Sequence, residues 1–78
     1  NKGKSLMSMS VVDMHGVRHE LVEDIMIDAC SKYNIPFVVI TGNSPKMKEL
    51  VAKAVERFDL SARDLINNPG RMIIDEAG

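Results

Sequence analysis

Apolar and polar positions along the chain repeat with two different periods, one typical of strands and the other of helices. Residues 8–15 alternate with period two, and apolar side chains fall on both faces because Val11 and Val12 point to opposite sides. We therefore expect a strand that is largely covered on both faces. Residues 37–41 form a continuous apolar run rich in β-branched side chains, which is typical of a buried parallel strand.

Two segments instead repeat their apolar residues at helical spacing. The first covers residues 18–34 and ends before Pro36, because the residue that precedes a proline disfavours the helical conformation. The second begins at Ser44, a favourable N-cap, with Pro45 at the first helical position, and runs to about Phe58. A strand, a helix and a second strand in this order predict a right-handed βαβ unit.

The C-terminal third has one ambiguous segment. Residues 72–75 have the composition of a strand, and residues 67–70 carry a strong turn signal. Residues 60–66 can form a strand that pairs with 72–75 in a hairpin. They can also form a helical turn, since Ser61 and Asp64 have capping-box spacing. We favour the strand.

These elements together predict an α/β fold with the order β-α-β-α-β-β. Both helices need an apolar partner and one sheet face suffices, so we expect a two-layer sandwich with a four-stranded mixed sheet. A chain of 78 residues has room for one hydrophobic core. We assign residues 1–7 to a flexible tail and residues 8–78 to a single domain. Without disulfides, a core of this size stabilises the fold by only about 3–5 kcal/mol.

Composition narrows the classes of partner and compartment. The chain has 10 Lys and Arg against 11 Asp and Glu, a net charge of −1, so nucleic-acid binding would need a local basic patch. With no Trp, one Tyr and two Phe, an aromatic stacking platform is not expected. Cys30 is the single cysteine, which excludes an intramolecular disulfide and favours a reducing, cytoplasmic location. No apolar run approaches the roughly 18 residues of a membrane span, so no membrane association is expected.

The charges are sorted along the chain. Residues 20–32 contain four acidic residues and one basic residue, whereas residues 41–57 contain four basic residues and two acidic ones. The second helix is therefore the basic element. The acidic outer face of the first helix should repel nucleic acid and so orient its approach.

Ligands of α/β proteins gather at the carboxyl ends of parallel strands. The first predicted strand ends at residues 13–16 and the second at residues 41–44. If the two strands are neighbours, both ends lie at one edge of the sheet, where the N-termini of both helices also point. Their amide N–H groups and partial positive charge make this edge a candidate anion site.

Asp13 and His15 are two residues apart, so on a strand their side chains emerge on the same face, roughly 6–7 Å apart along the backbone. The carboxylate can orient the imidazole and raise its basicity for acid–base catalysis. The pair can also share a divalent cation, or form a plain structural hydrogen bond. Spacing alone leaves these three alternatives open and favours the structural one.

The turn from Gly42 to Lys46 also has two interpretations. It can hold a phosphate on its backbone N–H groups, with Lys46 and Lys48 adding charge. It can equally be an ordinary capped helix start, in which glycine gives the turn its backbone conformation. Gly16 and Arg18 follow the other strand end, where Arg18 can contact phosphates or remain solvated.

The first strand end carries a motif of a known family. Val12-Asp13-Met14-His15-Gly16 has the hydrophobic-Asp-hydrophobic-His-Gly pattern of the Smr domain, the small MutS-related domain, which the chain resembles from about residue 9 to 76. Residues 40–44 align with the family's His-Gly-x-Gly turn, and residues 69–74 with its terminal hairpin. The resemblance implies a fold similar to the C-terminal domain of bacterial translation initiation factor three. It also implies nucleic-acid binding, often with nicking endonuclease or endoribonuclease activity.

By position in the motifs, the resemblance implies that Asp13 and His15 act in catalysis and that Gly42 acts in substrate binding. Two residues depart from the second motif, since Thr41 stands in place of its histidine and Ser44 in place of its second glycine. A threonine hydroxyl is no general base near neutral pH. The departures affect cleavage more than binding, because backbone N–H groups at a helix start bind anions without that histidine.

We therefore predict an Smr-like domain that binds DNA or RNA and has endonuclease activity, with a divalent cation as the candidate cofactor. The predicted catalytic residues, which would also hold that cation, are Asp13 and His15. The predicted nucleic-acid-binding residues are Gly16, Arg18, Thr41, Gly42, Asn43, Ser44, Lys46 and Lys48. The alternative is a non-catalytic module that forms a homodimer or docks onto a larger host protein. A site for a small phosphorylated metabolite at the same edge ranks third.

Overall fold

The computed structural model describes residues 9–77, so the predicted tail at residues 1–7 lies outside the described residues. The elements follow one another in the predicted order, and residues 60–65 form a strand rather than a helical turn. They are β1 (Val11–Asp13), α1 (His19–Lys32), β2 (Phe37–Ile40), α2 (Pro45–Glu56), β3 (Leu60–Leu65) and β4 (Asn68–Glu76). Both helices end within about two residues of the predicted positions. No helix within residues 9–77 has the length and hydropathy to cross a membrane.

The fold is α/β, with a four-stranded mixed sheet and two helices, as predicted. The strand order is β1-β2-β4-β3. β1 and β2 are parallel, and they form the predicted βαβ unit, whereas β4 runs antiparallel to both β2 and β3. In the register of the sheet, Asp13 lies opposite Ile40, and Ile40 lies opposite Arg71. This register decides which residues meet at each end of the sheet.

Alternate strand residues and the apolar faces of both helices form one core. β1 contributes Val12 and β4 contributes Met72 and Ile74 to it. Both helices pack on this core, and the apolar stripe of each helix supplies the side chains that are buried there. The fully buried large side chains are Phe37, Met14, Met26, Ile74, Val22, Val39, Val51 and Val55.

Three predictions about the strands are wrong. β1 ends at Asp13 rather than at residue 15, so His15 lies in the turn that follows the strand. β1 is not covered on both faces, because it is an edge strand of which Val12 faces the core while Val11 and Asp13 are exposed. The final turn lies at residues 66–67 rather than 67–70, so Pro69 and Gly70 belong to β4. β4 has nine residues opposite the six of β3, and the register of the hairpin shifts between Asp64 and Leu65 to accommodate the longer strand. A proline fits there, because its missing N–H leaves no ladder partner unpaired at an irregular position.

Candidate functional site

The ends of β1 and β2 lie side by side, as the parallel pairing predicts. Asp13 pairs with Ile40 in the sheet, and the amide of Met14 donates to the carbonyl of Ile40 at 2.8 Å. The segment 13–16 and the turn 41–44 therefore lie at one edge of the sheet. β4 reaches the same edge with Gly70 and Arg71.

Asp13 and His15 make direct contact at this edge. The distance from Nδ1 of His15 to Oδ1 of Asp13 is 2.6 Å, and the backbone amide of His15 donates to the same oxygen at 3.1 Å. The side chains of His15 and Asp13 are 73% and 54% exposed. An ionised carboxylate only accepts hydrogen bonds, so Nδ1 carries the proton and Nε2 faces solvent. The imidazole does not point into the core, and its Nε2 is accessible to a substrate.

The chain turns sharply just after this pair. The amide of Val17 donates to the carbonyl of Met14 at 3.1 Å, which closes a four-residue turn. Gly16, the third residue of this turn, has a φ of +78°, a conformation that favours glycine. The turn explains how Asp13 and His15 approach each other more closely than an extended strand would allow.

The contact shifts the pKa values of both groups in opposite directions. The hydrogen bond from His15 lowers the pKa of Asp13, with smaller contributions from the positive charges of His15 and Arg71. The hydrogen bond to Asp13, together with its negative charge, raises the pKa of His15 above the usual 6.5. The contact therefore favours the protonated form of the ring. An imidazole can both accept and donate a proton, which are the two roles of a general acid–base group.

A proton NMR titration checks these shifts. We expect the ring protons of His15 to titrate above pH 6.5 and to move to lower pH in Asp13→Asn, because the partner that stabilises the imidazolium is then lost. Resonances of His19 serve as the internal reference. A His15 titration unchanged by Asp13→Asn would contradict the contact.

The same shifts define a pH window for stability. The raised pKa of His15 contributes stability below 6.5 that is lost as the pH rises through the folded-state value. The lowered pKa of Asp13 contributes stability above 3.8 that is lost as the pH falls through the folded-state value. The pair therefore stabilises the fold most between about pH 3.8 and 6.5. The effect is small because both groups are exposed to solvent.

The turn after β2 is fastened to β4. The amides of Thr41 and Gly42 both donate to the carbonyl of Gly70 at 2.9 Å. The buried hydroxyl of Thr41 donates to the carbonyl of Gly42 at 2.9 Å and lies 3.3 Å from that of Gly70. These two predicted binding residues thus use their polar groups within the fold. Gly42 has a φ of +71°, so glycine suits this position for its backbone conformation.

The start of α2 leaves a smaller set of amides for an anion. Ser44 caps the helix by accepting a hydrogen bond from the amide of Met47 at 3.1 Å, and Pro45 has no amide proton. Within residues 9–77, the amides of Asn43, Ser44 and Lys46 donate to no protein acceptor. Asn43 and the side chain of Lys46 are exposed. A phosphate at this helix start would meet these three amides.

The other predicted binding residues differ in whether their charges are paired with an acidic side chain. Arg18 lies 3.3 Å from Glu20, with both side chains well exposed. Lys48 lies 3.3 Å from Asp64 on β3 and is only 22% exposed. Lys48 is thus directed toward the hairpin, whereas Lys46 forms no ion pair within residues 9–77.

Arg71 is the residue at this site that the sequence analysis missed. It lies beside Ile40 on the face that also carries Asp13, and its charge helps to lower the pKa of Asp13. The local signal was a basic residue directly after Pro69 and Gly70. Arg71 joins the site only through the pairing of β4 with β2.

The residues that the structure describes do not form a closed site of the kind that holds a resident zinc ion. Within residues 9–77, no group of three or more His, Cys, Asp or Glu side chains is placed to hold one. Asp13 and His15 supply two donors, and they are hydrogen-bonded to each other. Resident zinc sites in proteins have three or four protein ligands, so we derive no step through the predicted divalent cation.

Comparison with known proteins found no matching family model, no matching curated protein and no matching solved structure.

Proposed function

We propose that this chain is an Smr-like domain that binds nucleic acid and cleaves its phosphodiester bonds with the Asp13–His15 pair. The observation that carries the proposal is the 2.6 Å contact between the two side chains, with the imidazole 73% exposed. The contact lies at the carboxyl ends of two parallel strands, where α/β proteins bind their ligands. The intact Val12–Gly16 motif supports the same assignment.

The chemistry follows from the geometry of the pair. Asp13 holds Nδ1 of His15 and leaves Nε2 directed to solvent. The neutral ring accepts a proton at Nε2 from a water molecule, which then attacks the phosphorus. The imidazolium formed in this way is stabilised by the carboxylate, and the leaving oxygen, on the opposite side of the phosphorus, takes its proton from solvent. Asp13 is therefore a positioning residue, and His15 is the residue that transfers the proton.

The helix start beside the pair would hold the substrate. The amides of Asn43, Ser44 and Lys46 face an incoming phosphate at the positive end of α2. The exposed ammonium of Lys46 adds charge, and Arg18 at the start of α1 adds more when it exchanges Glu20 for a phosphate. Thr41 and Gly42 keep the turn in place through Gly70 rather than contacting the phosphate directly.

We also propose the layered architecture that the resemblance implies and the cytoplasmic location that the single cysteine favours. Packing of both helices on a single core supports a two-layer arrangement similar to the C-terminal domain of translation initiation factor three. Cys30 is the single cysteine of the chain, and burial raises the pKa of its thiol. An unreactive free thiol is consistent with a reducing cytoplasm.

One observation favours a second function, a non-catalytic homodimerisation module. Ile66 at the tip of the β3–β4 hairpin is 95% exposed and borders an open depression of about 670 Å³. Exposed apolar side chains beside a depression are typical of interaction sites. Sedimentation of the wild-type chain and Ile66→Ser distinguishes the two functions, because only a dimer that uses the tip would dissociate on this substitution.

The proposed function is tested on end-labelled RNA and DNA, single-stranded and duplex, with the wild-type chain and with Asp13→Ala/His15→Ala. We expect the wild-type chain to bind and cleave at least one of the four substrates. We expect the Kd of the double variant to stay within about twofold of the wild-type value, and we expect no cleavage by this variant. Equal cleavage by both proteins would indicate a contaminating nuclease. Absence of binding by the wild-type chain would contradict the proposal.

A further inference from the structure

The sheet has a second face, turned away from the core. Val12, Met72 and Ile74 point into the core, so their neighbours point to the other side. One row across this face joins Asp13, Ile40 and Arg71. The next row joins Val11, Val38, Ile73 and Arg63. We call this surface the outer face; its centre is apolar and two arginines lie along it.

The position of Arg63 on this face is supported by its neighbour. Asp64 pairs with Lys48 of α2 at 3.3 Å, so Asp64 is on the helix side of β3. The side chain of Arg63, one residue earlier, then lies on the outer face, where it is exposed. Arg63 and Arg71 are diagonal neighbours on adjacent strands, about 7–8 Å apart between their backbones.

These two arginines are available for an anionic partner. Ion pairs within residues 9–77 engage Arg18, Lys32, Lys48 and Arg57. The basic residues of the same part of the chain that form none are Lys46, Lys53, Arg63 and Arg71. The acidic residues on the outer face are Asp13, which holds His15, and Asp75, whose Oδ1 accepts the amide of Glu76. The outer face thus carries two of the four unpaired cations, and they lie on the side of the sheet that carries Asp13.

We propose that a single strand of RNA or DNA crosses the outer face, from the Asp13–His15 pair past Arg71 to Arg63. This inference rests on the proposed function, because it extends the same site. Arg71 lies two strand spacings from Asp13, roughly 9–10 Å. A phosphate at His15 and two further phosphates at the arginines would therefore follow the row of residues across the strands. Arginine suits this task because its planar guanidinium binds two phosphate oxygens at once.

The apolar centre of the face selects a single strand over a duplex. A duplex presents its phosphates and encloses its bases, so it would press charged groups against Val11, Ile40 and Ile73, which is costly. A single strand can turn its phosphates to the arginines and its bases to these side chains. No aromatic side chain lies on a strand of this face: Phe37 points into the core, Tyr33 packs on it with ring centroids 5.9 Å apart, and Phe58 lies between α2 and β3. Binding should therefore depend on phosphates and show little base preference.

The test measures fluorescence anisotropy of a labelled 12-nucleotide single strand and of the matching duplex. The proteins are the Asp13→Ala/His15→Ala chain, to prevent cleavage, and the same chain with Arg63→Gln and Arg71→Gln added. We expect the added substitutions to raise the single-strand Kd at least tenfold and to flatten the salt dependence by about one contact per arginine. Lys53→Gln is the matched control, since this unpaired cation lies between the helices. The Kd of the Lys53→Gln variant should stay within twofold of the value for the Asp13→Ala/His15→Ala chain.

The outcomes separate this inference from the proposed function. If the Asp13→Ala/His15→Ala chain binds no nucleic acid, both the outer-face path and the proposed function fail. If it binds and the two arginine substitutions have no effect, the outer-face path is wrong while the proposed function stands. Duplex binding as tight as single-strand binding also overturns the path, as does a dimer in sedimentation that dissociates when the arginines are replaced. Should the added pair unfold the chain by circular dichroism, Arg63→Gln alone, at an exposed position, must still raise the Kd at least threefold.

Discussion

Replacing His15 by alanine is expected to lower the rate of phosphodiester cleavage by about 10²- to 10⁴-fold, the usual contribution of a general acid–base group. In the proposed mechanism, Nε2 of His15 transfers the proton, because the Asp13 contact engages Nδ1 and leaves Nε2 free to meet a substrate. The side chain is 73% exposed, so its removal should leave the fold and the affinity for nucleic acid nearly unchanged. Single-turnover cleavage and anisotropy on the same preparation measure the two effects separately.

His19→Ala is the matched control for this prediction. The chain has two histidines, and His19 opens α1 rather than contacting Asp13. Cleavage should persist in His19→Ala. The assignment of His15 would be wrong if both variants lost activity equally, or if His15→Ala lost binding to the same extent as cleavage.

Asp13→Asn distinguishes positioning from direct catalysis. The amide keeps the shape of the side chain but removes the negative charge that raises the pKa of His15. The pH–rate profile should therefore shift to lower pH, whereas a merely structural role would change the rate without moving the profile. Because the two residues act as a unit, the double variant should lose no more activity than His15→Ala alone.

The βαβ unit could be predicted because its determinants are local. The apolar run of β2, the proline after α1 and the Ser44–Pro45 helix start each specify one element through its own residues. The nearness of Asp13 and His15 could be predicted from the same local information, but its cause differs from the predicted one: β1 ends at Asp13, and the turn through Gly16 brings His15 back to the carboxylate. The parallel pairing then placed the turn 41–44 beside it. The Asp13–His15 pair and the turn 41–44 therefore depend only on neighbours in sequence and on the parallel pairing of a βαβ unit.

The remaining part of the site depends on contacts between distant parts of the chain. The position of β4 between β2 and β3 makes Arg71 part of the site and gives Gly70 its two amide partners. No periodicity in residues 68–76 reveals which strand they join, because register is set by pairing across the sheet. The same contact changes the roles of Thr41 and Gly42. They matched a binding motif in sequence, but their polar groups fasten the turn to β4.

Phe37→Ala is expected to cost about 3–5 kcal/mol of unfolding free energy, the usual loss for a fully buried phenylalanine. Phe37 is fully buried in the middle of the core and packs on Tyr33. A core of this size without disulfides supplies only about 3–5 kcal/mol in total. The variant should therefore be largely unfolded at 25 °C. Urea titration followed by circular dichroism should show little or no folded baseline.

Phe58→Ala provides the matched control, because it removes the same side chain from a position that is 39% exposed. Its loss of stability should be much smaller, since less apolar surface returns to water and no closed cavity remains. A cooperative urea transition for Phe37→Ala close to that of Phe58→Ala would mean that the core does not depend on β2. That result would also remove the support for the site edge, because β2 carries both the register to Asp13 and the pairing to Arg71.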